Sequence, residues 1–100
     1  MRMIALYRTP PDPGAFDSAY FGTHLPLLAK VPGLEKTVVS RFTRTVMGEG
    51  LYLMAEMYFS DLGTLKSALK SPEMGEAGKN LATFADGLTT LMWAEEAATP

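Results

Sequence analysis

The stretch LYLMAEMYF, residues 51–59, constrains the fold more than any other. As a strand it alternates its side chains between two faces. Leu51, Leu53, Ala55, Met57 and Phe59 line one face; Tyr52, Met54, Glu56 and Tyr58 line the other. A strand of a small antiparallel sheet usually turns one polar face to water. This one has a single charge, Glu56. A chain of 100 residues can cover one side of a four-stranded sheet with helices. The other side needs another cover, and a second copy of the chain is the simplest expectation.

The rest of the chain supplies the remaining elements. Residues 3–8 (MIALYR) read as a strand, stopped by Pro10 and Pro11. Asp12 and Pro13 suit the cap and first position of a helix. Phe16, Tyr20, Thr23, His24 and Leu27 then follow at helical spacing on one face. Gly22 and Pro26 predict an irregular helix, because the proline ring crowds the Gly22 carbonyl and removes one backbone bond. Val31-Pro32-Gly33 ends it. Residues 36–47 (KTVVSRFTRTVM) read as a strand, with Gly48-Glu49-Gly50 as hairpin loop before residues 51–59. Ser60 and Asp61 cap a helix carrying Leu62, Leu65 and Leu69. Ser71 and Pro72 restart it, and Met74, Ala77, Gly78, Leu81 and Phe84 form its stripe. Asp86-Gly87 stops it, and residues 88–96 (LTTLMWAEE) form a last strand. The order βαββαβ predicts an α+β, ferredoxin-like domain over residues 1–100, with a four-stranded antiparallel sheet and both helices on one side.

Composition excludes several functions. Nine Lys and Arg are scattered and the net charge is -2, so no nucleic-acid surface is expected. The chain has no cysteine, which removes disulfides, thiol nucleophiles and thiolate metal sites, and fits a cytoplasmic setting. No apolar run approaches the ~20 residues of a bilayer span, so no membrane partner is expected. One histidine cannot build a histidine-rich metal site, and no metal is expected.

That histidine, His24, is the sharpest functional candidate. It shares a helix face with Phe16 and Tyr20, which points it at the sheet. Imidazole titrates near neutral pH and can take or give a proton. The bland alternative is a ring that hydrogen-bonds locally and tidies the bend at Pro26. Tyr7, Tyr20, Tyr52 and Tyr58 carry hydroxyls that need partners when buried. Arg41 and Arg44 lie on opposite faces of one strand, and one of them can reach a cavity or make a surface ion pair. Glu56 is a base if buried alone, and an ion-pair member if an arginine lies near. Trp93 is expected in the core or at a subunit contact.

Six segments together resemble the EthD-like family of the dimeric α/β-barrel superfamily: PPDPGAF (10–16), Tyr20 to Pro26 with His24-Leu25-Pro26, the turn at 31–34, MYFSDLGTLKSAL (57–69), SPEM (71–74) and FADG (84–87). The resemblance implies two sheets packed face to face across a homodimer, and a cavity between sheet and helices in each subunit. Related lactone isomerases use a histidine at the matching position for proton transfer, which points to His24. The expectation is therefore a cofactor-free enzyme acting on a hydrophobic oxygenated molecule, with His24 catalytic and Tyr7, Tyr20, Arg41 and Tyr52 binding substrate. A dimeric carrier of an apolar metabolite is the alternative. A haem-handling monooxygenase, with His24 as axial ligand, is a third.

Overall fold

In the computed structural model, which describes residues 1–100, the chain runs β1 (Arg2–Tyr7), α1 (Pro13–Ala19), a π-helical turn (Tyr20–His24), α2 (Leu25–Leu28), β2 (Lys36–Arg41), β3 (Leu53–Tyr58), α3 (Leu62–Leu69), α4 (Pro72–Ala85) and β4 (Thr89–Ala94). The sheet order is β2-β3-β1-β4, and every pairing is antiparallel. This is the ferredoxin-like α+β arrangement expected from the element order. α1, α3 and α4 start where their caps predict. Asp12 accepts from the Ala15 amide at 3.1 Å, Asp61 from Thr64 at 2.7 Å and Ser71 from Met74 at 3.1 Å. Such caps contribute about 1 kcal/mol each by satisfying amides that have no partner within the helix.

The helical segment after β1 departs from the expected face in one respect. The Leu25 amide donates to the Tyr20 carbonyl, five residues back rather than four. Pro26 explains the widening: a regular turn would press its ring on the Gly22 carbonyl. The π turn relieves that clash with one extra residue. The buried positions are consequently Phe16, Tyr20, His24 and Leu28, at a uniform spacing of four. Thr23, expected inward, is exposed, and Leu27 is only half-buried.

The core lies between the helices and one face of the sheet. Met3, Ala5 and Tyr7 of β1 and Leu53, Ala55 and Met57 of β3 alternate into it, where they meet Phe16, Tyr20, Leu28, Leu65 and Ala77. Ala5 and Ala55 are direct partners in the ladder. Two small side chains side by side leave room above the sheet.

The other face is open. Ladder register places Val38, Glu56, Ile4 and Met92 in one row across all four strands, and Met54 beside Leu6 in the next. Glu56 sits near the centre of this apolar face. It pairs with Arg2 of its own chain at 3.5 Å and accepts from the Tyr58 hydroxyl at 3.4 Å.

The strands are shorter than the sequence pattern predicts, above all at the β2–β3 connection. The pairs Lys36↔Tyr58 and Arg41↔Leu53 centre the connection on Met47 rather than on Gly48-Glu49-Gly50. The last backbone bond across it runs from the Phe42 amide to the Tyr52 carbonyl, at 3.2 Å. Residues expected to extend both strands therefore form a long, exposed loop.

The turn before β2 depends on Gly33, whose φ is +82° and whose missing Cβ would lie 2.5 Å from the Thr64 methyl. Both the backbone and the space exclude a side chain. Gly33→Ala is expected to cost roughly 1–3 kcal/mol in urea unfolding. An unchanged midpoint would show that this turn is not held against α3.

Candidate active site

An apolar cavity of about 50 Å³ lies between the sheet and the helices. Its floor is Met3, Ala5, Ala55 and Met57, and its roof includes Tyr20, His24, Met74 and Leu81. Tyr7 closes one end, and Leu91 of β4 flanks Ala5 at the side. The alanine pair makes this space. The π turn aims the roof, because it puts Tyr20 and His24 on one inward line.

The aromatic side chains fix one another. Phe16 stacks on Tyr20 with ring centres 5.7 Å apart. Tyr7 meets Phe16 and Tyr20 edge-on at 5.6 and 5.3 Å. Phe84 of α4 stands edge-on to Phe16 at 5.3 Å and to His24 at 6.0 Å. Such pairs contribute about 0.5–1.5 kcal/mol each beyond area burial, and they hold the rings in place.

Within this cluster the polar atoms lack partners. His24 is 4% exposed and Tyr20 fully buried. Neither His24 Nδ1 nor the Tyr20 hydroxyl makes a hydrogen bond. Buried polar groups are almost always paired, because leaving one unpaired costs about 1–3 kcal/mol. Each still has a polar neighbour in the chain, the Tyr7 hydroxyl beside Tyr20 and Asn80 and the Ala77 carbonyl beside His24, so the two groups border the cavity with hydrogen-bonding capacity to spare. A third, Asn80 Oδ1 of α4, is buried beside the imidazole.

Burial also sets the protonation states. It lowers the His24 pKa below the ordinary 6.5, and the opposing pull of Asn80 and the Ala77 carbonyl is weaker. It pushes Tyr20 up to about 12, which contact with Tyr7 only partly offsets. Tyr7 is raised further, by burial and then by the neighbouring Tyr20. At neutral pH the site thus holds a neutral imidazole and two protonated phenols. A neutral imidazole can accept a proton; a phenol can donate a hydrogen bond to a carbonyl.

Of the residues singled out from the sequence, Tyr7, Tyr20 and His24 meet at this cavity. Arg41 and Tyr52 do not line it. Asp17 of α1 accepts from the Tyr52 hydroxyl at 2.7 Å and from the Arg41 guanidinium at 3.1 Å. The guanidinium lies over the Tyr52 ring, 5.2 Å from its centre. The three form a strut between the sheet end and α1. Tyr58 faces the open side of the sheet. Asn80 was absent from the sequence reading because it interrupts an apolar stripe; its spacing from Ala77 and Phe84, three and four, was the available signal.

A ferredoxin-like sheet carrying helices on one side, with a histidine and tyrosines at an apolar cavity beneath them, defines a class of small α+β proteins. The chain matches the EthD domain over residues 8–88 and belongs to that family. The crystal structure of an ethyl tert-butyl ether d (ethd) family protein from Bacillus halodurans is 46% identical, with a TM-score of 0.89 over 95% of this chain and 96% of that one. An uncharacterized 11.0 kDa protein of Rhodococcus erythropolis, from the thcB-thcC intergenic region, is 30% identical over 95% of this chain and 93% of its own length. Two more distant structures share the fold. SnoaB of Streptomyces nogalater, a cofactor-independent oxygenase, is 16% identical with a TM-score of 0.62, covering 96% and 93% of the two chains. A dimeric ferredoxin-like protein of unknown function from Bacteroides fragilis is 21% identical with a TM-score of 0.58, covering 91% and 92%.

The two tyrosine roles separate by mutation. Tyr20→Phe removes a hydroxyl that lies beside Tyr7 without a full hydrogen bond, and is expected to change stability by less than about 1 kcal/mol. Tyr52→Phe breaks the bond to Asp17 and is expected to lower stability by about 1 kcal/mol. Urea unfolding of both variants checks this. A destabilised Tyr20→Phe would mean that its hydroxyl is already bonded within the chain.

Proposed function

We propose that the protein is a homodimeric, cofactor-free enzyme in which His24 moves a proton on a hydrophobic, oxygenated small molecule such as a lactone or a polyketide-like aromatic. The observation that carries this reading is the pair of unpartnered atoms, His24 Nδ1 and the Tyr20 hydroxyl, at one apolar cavity.

The chemistry follows from the protonation states. A ligand carbonyl accepts a hydrogen bond from a phenol, Tyr20 or Tyr7. That bond acidifies the carbon next to the carbonyl. Neutral His24 takes the proton from that carbon, and the electron pair moves onto the oxygen as an enolate, held by the phenol. The imidazolium returns the proton at the same or another carbon, which completes an isomerisation and restores the site. Low polarity around His24 favours the return, because the charged ring is poorly solvated there. SnoaB, called a cofactor-independent oxygenase, shows that this fold supports chemistry without a bound cofactor in that protein. The present cavity of about 50 Å³ is small for such a ligand. Binding therefore displaces flexible wall residues, of which the half-buried Met74 is adaptable.

The homodimer rests on the open sheet face. Ile4, Leu6, Met54, Val38 and Met92 cluster around Glu56 with nothing over them, and a ferredoxin-like neighbour of the same fold is dimeric. Val38→Glu adds a carboxylate opposite Glu56 on that face. It is expected to turn the dimer into folded monomer, read by light scattering with circular dichroism. A dimer that survives the substitution would place the subunit contact elsewhere.

The enzymatic reading is tested by screening lactones and phenolic ketones, first for binding and then for turnover. His24→Ala is expected to cut turnover of any substrate found at least ~100-fold while binding changes less. A carrier is the alternative reading, favoured by walls that are mostly apolar. Binding without turnover in the wild type, undiminished in His24→Ala, would select it.

A further inference from the structure

We propose that the ligand of this site is elongated: its oxygenated head occupies the cavity at His24, and a neutral, unbranched apolar tail lies in the groove between α4 and β4. This rests on the site proposed above and specifies the shape of the molecule that fits it.

The cavity does not stand alone. A groove of about 370 Å³ runs between α4 and β4. It lies on the helix side of the sheet, because Thr89 and Leu91 in its wall pair with Tyr7 and Ala5 of the core face. Gly78, Leu81 and Leu91 line both spaces, so the groove and the cavity share one wall. That wall is thin. Gly78 has no side chain, and a Cβ built there would meet nothing within 4 Å. Leu81 is half-buried, and Leu91 is 52% exposed. An exposed side chain changes rotamer within nanoseconds, so the wall acts as a gate between the two spaces.

The two spaces differ in what they can hold. The cavity of about 50 Å³ takes a small ring or a carbonyl group and little more. Sites for whole small molecules usually measure about 300–1,000 Å³, and the groove supplies the difference. The polar atoms lie at the cavity: His24 Nδ1 and the Tyr20 hydroxyl are buried there without a hydrogen-bond partner. The groove presents apolar and small side chains instead. Gly78, Ala82 and Ala85 follow at spacings of four and three, which puts them on one face of α4. From Gly78 to Ala85 the helix rises about 10 Å, the extended length of about seven or eight carbons. The Asp86 carboxylate stands at the outer end, where it disfavours an anionic tail. Arg8, the cation near that end, already donates to the Gly87 carbonyl and to the Thr90 hydroxyl.

The probes are γ-lactones whose ring carries a methyl, a butyl or a heptyl chain. Binding is read from the His24 imidazole signals, which respond to a head that reaches the cavity. The wild type is expected to bind the heptyl lactone about 60-fold more tightly than the methyl lactone. This is about two-fold per added methylene in an open groove, where full burial would give about four-fold. Ala82 is exposed and lines the groove but not the cavity, so Ala82→Glu should fold normally. It puts a carboxylate where the tail lies. It is expected to leave binding of the methyl lactone within about two-fold and to cut the heptyl advantage below about five-fold. A heptyl advantage that survives Ala82→Glu would overturn the inference, since the tail would then lie elsewhere. Equal binding of the three lactones by the wild type would also overturn it. Failure of all three to move the His24 signals would overturn both the inference and the site beneath it. Chain-length selection that Ala82→Glu abolishes, with no turnover, would uphold the inference and select the carrier reading.

Discussion

Pro26 has no amide hydrogen, and its ring cannot sit one regular turn above the Gly22 carbonyl. The chain resolves this conflict by widening the turn from Tyr20 to His24. That local accommodation sets the rest of the site. It places Phe16, Tyr20, His24 and Leu28 in one inward line. Tyr20 then stacks on Phe16, and His24 meets Phe84 of α4. In a regular helix each step of four residues drifts about 40° around the axis; the wider turn removes that drift between Tyr20 and His24 and keeps both rings inward.

The sheet supplies the complementary condition. The Ala5–Ala55 pair leaves space under the aromatic roof, while Met3, Met57 and Tyr7 close its sides. Helix contacts then desolvate both His24 and Tyr20, with Asn80 and the Ala77 carbonyl of α4 only partly offsetting this at His24. The Tyr20 hydroxyl and His24 Nδ1 are thus buried short of a full hydrogen bond, beside Tyr7 and Asn80.

Much of this was legible in the sequence because it depends on local rules. The caps at Asp12, Asp61 and Ser71 start helices in any context. The apolar pattern of residues 51–59 revealed both the buried face and the unclothed one. His24 and Tyr20 were visible as an i, i+4 pair. What was not legible depends on register. The pattern of residues 36–47 continues as a strand past Arg41, and only the pairing with β3 shows that the ladder ends there. Arg41 and Tyr52 looked like site residues on alternation alone. Their capture by Asp17 requires knowing how α1 lies across the sheet end. Asn80 was hidden for a different reason: a lone amide at the edge of an apolar stripe has no signature until the opposing helix is placed against it.

The central claim is that His24 is held neutral in an enclosed site. The imidazole proton signals can be titrated directly, since one histidine per chain leaves no ambiguity of assignment. The folded-state midpoint is expected below 6.5, because burial disfavours the charged ring. The sign carries through to stability: the unfolded chain binds the proton first, so stability declines as pH falls from about 6.5 toward the folded midpoint. In His24→Asn that decline should vanish. A folded midpoint at or above 6.5 would contradict the account, for it would mean that the ring is solvated or already paired with an acid.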